Sequence, residues 1–390
     1  MRWPGRVAVL LLLPVAALAA TSCQRAAQVS LPVHQRVGLS PRLHIDRIIH
    51  SMEGPSAETT FSLEEGGPRE LVWITAYRTE VVDADGQSAR GLSQFMCHNN
   101  LDFDSEAHRK LFHLDRIVNF GRMFTASQGV FEVVFPDGYG IPVFSDEPLT
   151  VNTMVLNHNL RDANLDVRHR ITIDYVRDED ARGRLVPLYP TFAPVMALLQ
   201  GRDGVFGIDK PSEHQHGASC APGLVAPNAP EGTRTYDDHQ GRTFTQHWVV
   251  PIGHEDRHTL VTKVLGVPFD TTLHYINAHL HPYARSLELH DLTTGQTLFH
   301  ADARAPEQGI GLASVDHFSS AEGIPVFRGH DYEVESVYDN PTDAAKDAMA
   351  IFFVYFRDKE MEQRLPGVRQ ELAASGAAAA SAAPAAPAHG

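Results

Sequence analysis

The sequence predicts an all-β protein: two jelly-roll-like β-sandwich domains in tandem, behind an N-terminal signal segment and ahead of an Ala/Pro-rich tail. Three observations carry this. Short runs rich in Val, Ile, Thr and aromatic residues recur along the chain. Polar turn clusters separate them, such as Asp83-Ala-Asp-Gly86, Pro136-Asp-Gly138 and Asp291-Leu-Thr-Thr-Gly295. An irregular Gly- and Pro-rich stretch over 186–242 divides the strand-rich chain into two blocks. The 390 residues suffice for two domains with tails.

Residues 1–22 read as a signal peptide. Arg2 and Arg6 form a basic start, and Val7 to Ala20 is apolar but too short to span a bilayer comfortably. The run Ala20-Thr21-Ser22-Cys23 resembles a bacterial lipobox, which makes Cys23 the expected lipidated residue of an exported, membrane-anchored protein. Gln24 after the cysteine, by resemblance to Gram-negative lipoproteins, implies an outer-membrane location facing the periplasm or the cell surface. Residues 23–39 read as a linker.

The first block, 40–185, shows candidate strands Glu70–Val82, Gly129–Phe135, Leu149–His158 and Val167–Val176, with a short helix over Glu106–Asp115. The second, 243–358, shows Thr243–Val250, Thr259–Leu265, Thr271–His281, Ser286–His290, Thr297–Ala301, Tyr332–Tyr338 and Met349–Arg357. In 359–390, a short helix broken at Pro366 precedes a low-complexity tail from 373, too poor in bulky apolar groups to pack.

Net charge of −15 argues against nucleic acid as a partner. Histidine is abundant, 22 residues against 10 tyrosines and 3 tryptophans, a surplus that points to metals. With Cys23 lipidated, Cys97 and Cys220 remain, and an oxidising compartment favours a disulfide between them. The alternative is two free or metal-binding thiols. No nucleotide-binding loop and no Ser/His/Asp signature is present.

The most informative segment is His279-Leu280-His281. On a strand Leu273–His281, Ile276, Ala278 and Leu280 share one face, while Asn277, His279 and His281 share the other. Met349 opens a second β-rich run. Two imidazoles and a thioether make a soft donor set that suits copper. The alternative is a pair of surface histidines and a core methionine.

Asn277-Ala-His279-Leu-His281, followed by Asp347-Ala-Met349-Ala-Ile-Phe-Phe, resembles the C-terminal domain of the copper type II, ascorbate-dependent monooxygenases. In the first block, Cys97-His98-Asn99-Asn100-Leu101 stands where that family has paired histidines, and His158 in Met154-Val-Leu-Asn-His158 fits its next histidine. The resemblance spans about residues 60–357. It implies two β-sandwiches facing a cleft, a copper at His279, His281 and Met349, and a second copper at His98 and His158. It further implies ascorbate or another reductant, dioxygen and a small-molecule substrate hydroxylated at a C–H bond. The first site lacks one imidazole, which His169, His214 or His216 could supply. An Arg and a Tyr that hold substrate in the peptide-acting members are Asn277 and Phe353 here, which speaks against a peptide carboxylate.

Two other readings stand beside this one. A non-catalytic copper-binding lipoprotein would keep only the His-His-Met site. A zinc hydrolase would use His254, Glu255 and His258, although strand-like flanks and Gly253 argue against the helical His-Glu-x-x-His arrangement. His108 and His113 read as surface residues.

Overall fold

The computed structural model describes residues 31–116, 121–201, 206–207, 235–238 and 240–382. The described residues from Pro32 onward form one compact unit. It is all-β and jelly-roll-like, with sheets packed face to face.

In chain order the strands of the first half are β1 (His34–Leu39), β2 (Leu43–Ile45), β3 (Ser56–Phe61), β4 (Leu71–Asp83), β5 (Met96–Phe103), β6 (Arg122–Ser127), β7 (Glu132–Val134), β8 (Tyr139–Phe144), β9 (Leu149–Val155) and β10 (Leu165–Arg177). The second half adds β11 (Val186–Pro194), β12 (Ala197–Gln200), β13 (Thr235–Asp237), β14 (Thr243–Thr245), β15 (Trp248–Val250), β16 (Gly253–Leu260), β17 (Thr271–Leu280) and β18 (Ala284–Asp291). It ends with β19 (Gln296–Arg304), β20 (Ser314–Val315), β21 (Phe318–Val326), β22 (Tyr332–Asn340), β23 (Lys346–Ala348) and β24 (Ala350–Arg357). Helices are few: α1 (Ser105–Leu111), α2 (Asp178–Ala181), α3 (Thr262–Leu265) and α4 (Lys359–Ala382).

The backbone of the fold is one long sheet, β1-β10-β4-β8-β11-β24-β17-β21. Strands from both expected blocks share it, joined where β8 and β11 pair in parallel, Val186 opposite Tyr139. A four-stranded sheet, β3-β9-β5-β6, covers its first half, and a five-stranded sheet, β16-β22-β18-β19-β20, covers its second. The first core joins Leu43, Ile45, Val81 and Val167 to Met96 and Val155. The second packs Ala278, Leu280, Phe352 and Val354 on Leu287, Leu289, Val334 and Tyr338.

β24 is buried at nearly every residue and β17 almost so. A strand covered on both faces reads as a continuous apolar run rather than an alternation. Its second face still has its own chemistry: the residues between those of the core contribute His279, His281, Met349, Ile351 and Phe353.

Several expected elements are corrected. β1 falls in the expected linker, paired along β10 from His34 opposite Tyr175 to Leu39 opposite Arg170. β11, β12 and β13 lie in the stretch expected to be irregular. The expected strand Thr259–Leu265 is instead the end of β16 followed by α3, because Val261 leaves the extended region (φ −98°, ψ 2°). α4 is not broken at Pro366. Its buried Met361, Leu365 and Val368 hold it to the body, and Arg369 clamps Asp178 at 2.7 Å, so packing outweighs the lost hydrogen bond. His108 is not on the surface: it is 4 % exposed, lies between Phe103 and Phe112, and bonds buried Glu147 at 2.8 Å.

Candidate metal centre

Cross-strand register builds the site. In the β17–β24 pair, His279 stands opposite Ile351 and Asn277 opposite Phe353. One step on, His281 N donates to Met349 O at 3.3 Å. Directly opposed residues share a face, so the two imidazoles and the thioether project together. Tyr338 fastens this corner. Its Oη donates to Met349 O at 2.7 Å and accepts from His281 N at 3.4 Å.

A chain of four imidazoles results. Ring centroids lie 6.3 Å apart for His98 and His279, 5.4 Å for His279 and His281, and 6.4 Å for His247 and His281. His98 arrives from β5 on the facing sheet. His247 arrives beside β15, whose Trp248 pairs with Ala348, one residue before Met349. With metal–nitrogen bonds of about 2 Å, two rings sharing an ion hold centroids about 5–6 Å apart. The His279–His281 pair fits that best.

His279 Nδ1 and both ring nitrogens of His281 are buried without a hydrogen-bond partner among the described residues. His281 Nδ1 stands 2.9 Å from Asp347 Oδ2, off hydrogen-bond alignment. Buried polar atoms are almost always bonded, so each such nitrogen calls for a reason. The electrostatics agree with a ligand role. Burial, then the neighbouring His281, His98 and His247, hold His279 well below the usual imidazole range. Burial, then Arg122 and the other histidines, push His98 down to about 3. Burial and then His281 take His247 down to about 4. These rings are neutral at pH 7, which is the metal-binding form.

Two of these imidazoles, His98 and His279, border a cavity of about 660 Å³. His98, His279 and Met349 line it together with Phe192, Ile351 and Phe353 on one side and Asn100, Asp102, Arg122 and Thr125 on the other. Arg122 Nε bonds Asp102 Oδ1 at 2.7 Å. Asn277 is turned to the partner sheet, donating to Thr125 O at 2.9 Å. The chamber therefore has an apolar wall and a polar wall whose arginine is charge-balanced.

His158 lines a different, smaller cavity, with His50 at 6.0 Å between ring centroids, Asp347, Lys346 and Tyr283. Burial takes His158 down to about 4. His98 and His158 thus border separate chambers. Asn99, at the position of the missing family histidine, is fully buried and bonded to His169 Nδ1 at 3.0 Å and to Tyr77. His169 is therefore a core residue. Cys97 is buried, 3.5 Å from His98 Nδ1, and forms no disulfide among the described residues. Cys220 lies outside the described residues, as do Cys23, His214 and His216, so the expected disulfide has no support.

His254-Glu-Asp-Arg-His258 lies on β16, not on a helix. Glu255 points inward to Arg257 and Trp248, while His254 and His258 point outward to Asp339 and Glu333. A zincin arrangement is absent there. His247 and Asp347 were missed by sequence reasoning. His247 lacks a periodic partner, and only the pairing of β15 with β23 brings it to His281.

No protein-family model matches the chain, and no curated protein matches it. Among solved structures it is similar to the STIV MCP, at 7 % identity over 85 % of this chain and 98 % of that one, TM-score 0.29. A peptide-N(4)-(N-acetyl-β-D-glucosaminyl) asparagine amidase gives 9 % over 82 % and 96 %, TM-score 0.32. PBCV-1 VP54 gives 9 % over 85 % and 96 %, TM-score 0.31. Likeness at this level carries nothing about chemistry.

Proposed function

We propose that this chain is a copper-dependent, monooxygenase-like protein that hydroxylates a C–H bond of a small, moderately apolar molecule, using dioxygen and an external reductant such as ascorbate. The observation that carries the reading is the pair of buried, unbonded nitrogens His279 Nδ1 and His281 Nε2 beside Met349, with His279 and Met349 lining a 660 Å³ cavity. Bound copper would supply one-electron redox chemistry and an oxygen-binding position at these donors. The chain's own residues hold His279 neutral, fix the backbones of His281 and Met349 through Tyr338, and shape a chamber whose Phe192, Ile351 and Phe353 favour apolar substrate. Cys23 would tether the protein to a lipid membrane.

The test is anaerobic Cu(I) titration followed by oxygen uptake with ascorbate. Wild type should bind Cu(I), and His279→Ala with His281→Ala should not. Equal binding by the double variant would remove the site.

One observation favours the non-catalytic copper-binding reading. His98 and His158, the expected ligands of a second copper, border different cavities. One copper per chain with no ascorbate-dependent oxygen uptake would decide for it.

A further inference from the structure

A second group of metal-ligating side chains lies on the outer face of the five-stranded sheet, on strands that do not line the histidine-rich cavity. Register sets it. His258 on β16 stands opposite Glu335 on β22, Glu335 opposite Glu288 on β18, and Glu288 opposite His300 on β19. In the next row Glu333 stands opposite His290. Two carboxylates placed directly across a sheet repel each other, and this face adds Asp256 and Glu333 to them.

The imidazoles are oriented as ligands would be. His258 Nδ1 donates to Glu333 Oε1 at 3.0 Å, since a carboxylate only accepts. In the neutral ring this leaves a lone pair on Nε2, which lies 3.8 Å from Glu335 Oε1 and 4.0 Å from Asp256 Oδ2. One donor atom from each of Asp256, His258 and Glu335 falls within 4.8 Å of the others. A carboxylate holding the far nitrogen is the usual support of a metal-binding histidine. On the other side of Glu335, His290 Nδ1 is fixed by Thr297 Oγ1 at 3.0 Å. Its buried Nε2 is 3.5 Å from both Glu335 Oε2 and Glu288 Oε2 without a hydrogen bond to either. A desolvated nitrogen left this way costs free energy.

We propose that Asp256, His258 and Glu335 form a binding site for a divalent transition cation of zinc-like preference, with His290 on the far side of Glu335 and outside the donor group. Mixed imidazole and carboxylate donors suit such an ion. It would offset the Glu335–Glu288 repulsion and cross-link β16 to β22 on the surface. The half-exposed ligands leave it open to exchange: Asp256 is 51 % and His258 30 % exposed at the side chain.

The experiment uses the full chain carrying His279→Ala and His281→Ala, so that the His279–His281 pair does not compete, and titrates it calorimetrically with Zn(II) alone. One Zn(II) per chain is expected. Glu335→Gln, which keeps shape and should keep the fold, should abolish uptake, and His258→Gln should weaken it about tenfold or more. Co(II) in place of Zn(II) should give visible absorption that the same substitutions remove. Absence of Zn(II) uptake, or uptake equal in Glu335→Gln and in the parent, would overturn the proposal.

Discussion

At the scale of single residues, Met349 is the most exposing test. Exchange for Leu preserves volume and apolarity, so Met349→Leu should cost less than about 1.5 kcal/mol of stability. Its Cu(I) affinity should fall about tenfold or more while Cu(II) affinity falls less, because the thioether prefers the reduced ion. Equal Cu(I) affinity in competition titrations would remove Met349 from the site. His169 tests acidity instead of metal. Burial lowers its folded-state pKa from 6.5 to about 4. Between these values the unfolded chain takes up a proton that the folded chain refuses. Stability is thus full above the unfolded value and is lost as pH falls towards the folded one. His169→Gln should remove about 2 kcal/mol of the stability loss between about pH 7.5 and about pH 5. Denaturant melts of both proteins at the two pH values give the answer, and an unchanged loss would contradict it.

At the scale of elements, Tyr338 couples β22 to the corner where β17 meets β24. Tyr338→Phe removes one hydroxyl that donates to Met349 O and accepts from His281 N. It should cost about 1–2 kcal/mol and weaken copper binding in the same variant, as chemical denaturation and titration would report; copper affinity unchanged alongside lost stability would separate the corner from the site. The α1 cap is independent of the metal. Asp104 Oδ1 accepts from the backbone of Glu106 and Ala107 at 3.0 and 2.8 Å, so Asp104→Ala should lower stability by about 1 kcal/mol with copper binding intact. Strands β10, β18 and β22 were legible because one face is core and the other is wetter, and β4 because its run is mostly apolar and buried. β5, β6 and β11 were not, since their short runs mix Asn, Thr, Pro and charged residues. The run through Pro366 was misread because local propensity favoured a break, whereas contacts from Asp178 and the body decide. Likewise His279, His281 and Met349 could be placed by two-residue periodicity within each strand. His98 beside His279, and His247 beside His281, depend on sheet-to-sheet packing that no spacing encodes.

At the scale of the whole molecule, copper stoichiometry separates an enzyme from a carrier. Two ions per chain with ascorbate-driven oxygen consumption, the second ion retained in Glu335→Gln, would point to loading of the His50–His158 chamber. In that case His158→Ala should remove one ion, and His98→Ala should disturb the His279 side first, because His98 borders that cavity. One ion and no oxygen uptake would assign copper storage or transfer. Cellular fractionation of Cys23→Ser tests the anchor: the variant should leave the membrane fraction or remain unprocessed, and an unaltered distribution would count against lipidation.

The pairing of His281 with Met349 across adjacent strands has an evolutionary reading. Between those two residues run β18 to β23, whose connecting loops can gain or lose residues without moving either donor so long as Tyr338 keeps its bonds to Met349 O and His281 N. A slip of one residue between β17 and β24 is a different matter, for it would present Leu280 or Ala350 to the chamber instead. Descendants of this chain should therefore vary freely in the lengths of their loops, and the odd-even phase of two strands should be what they cannot change while they still hold a metal.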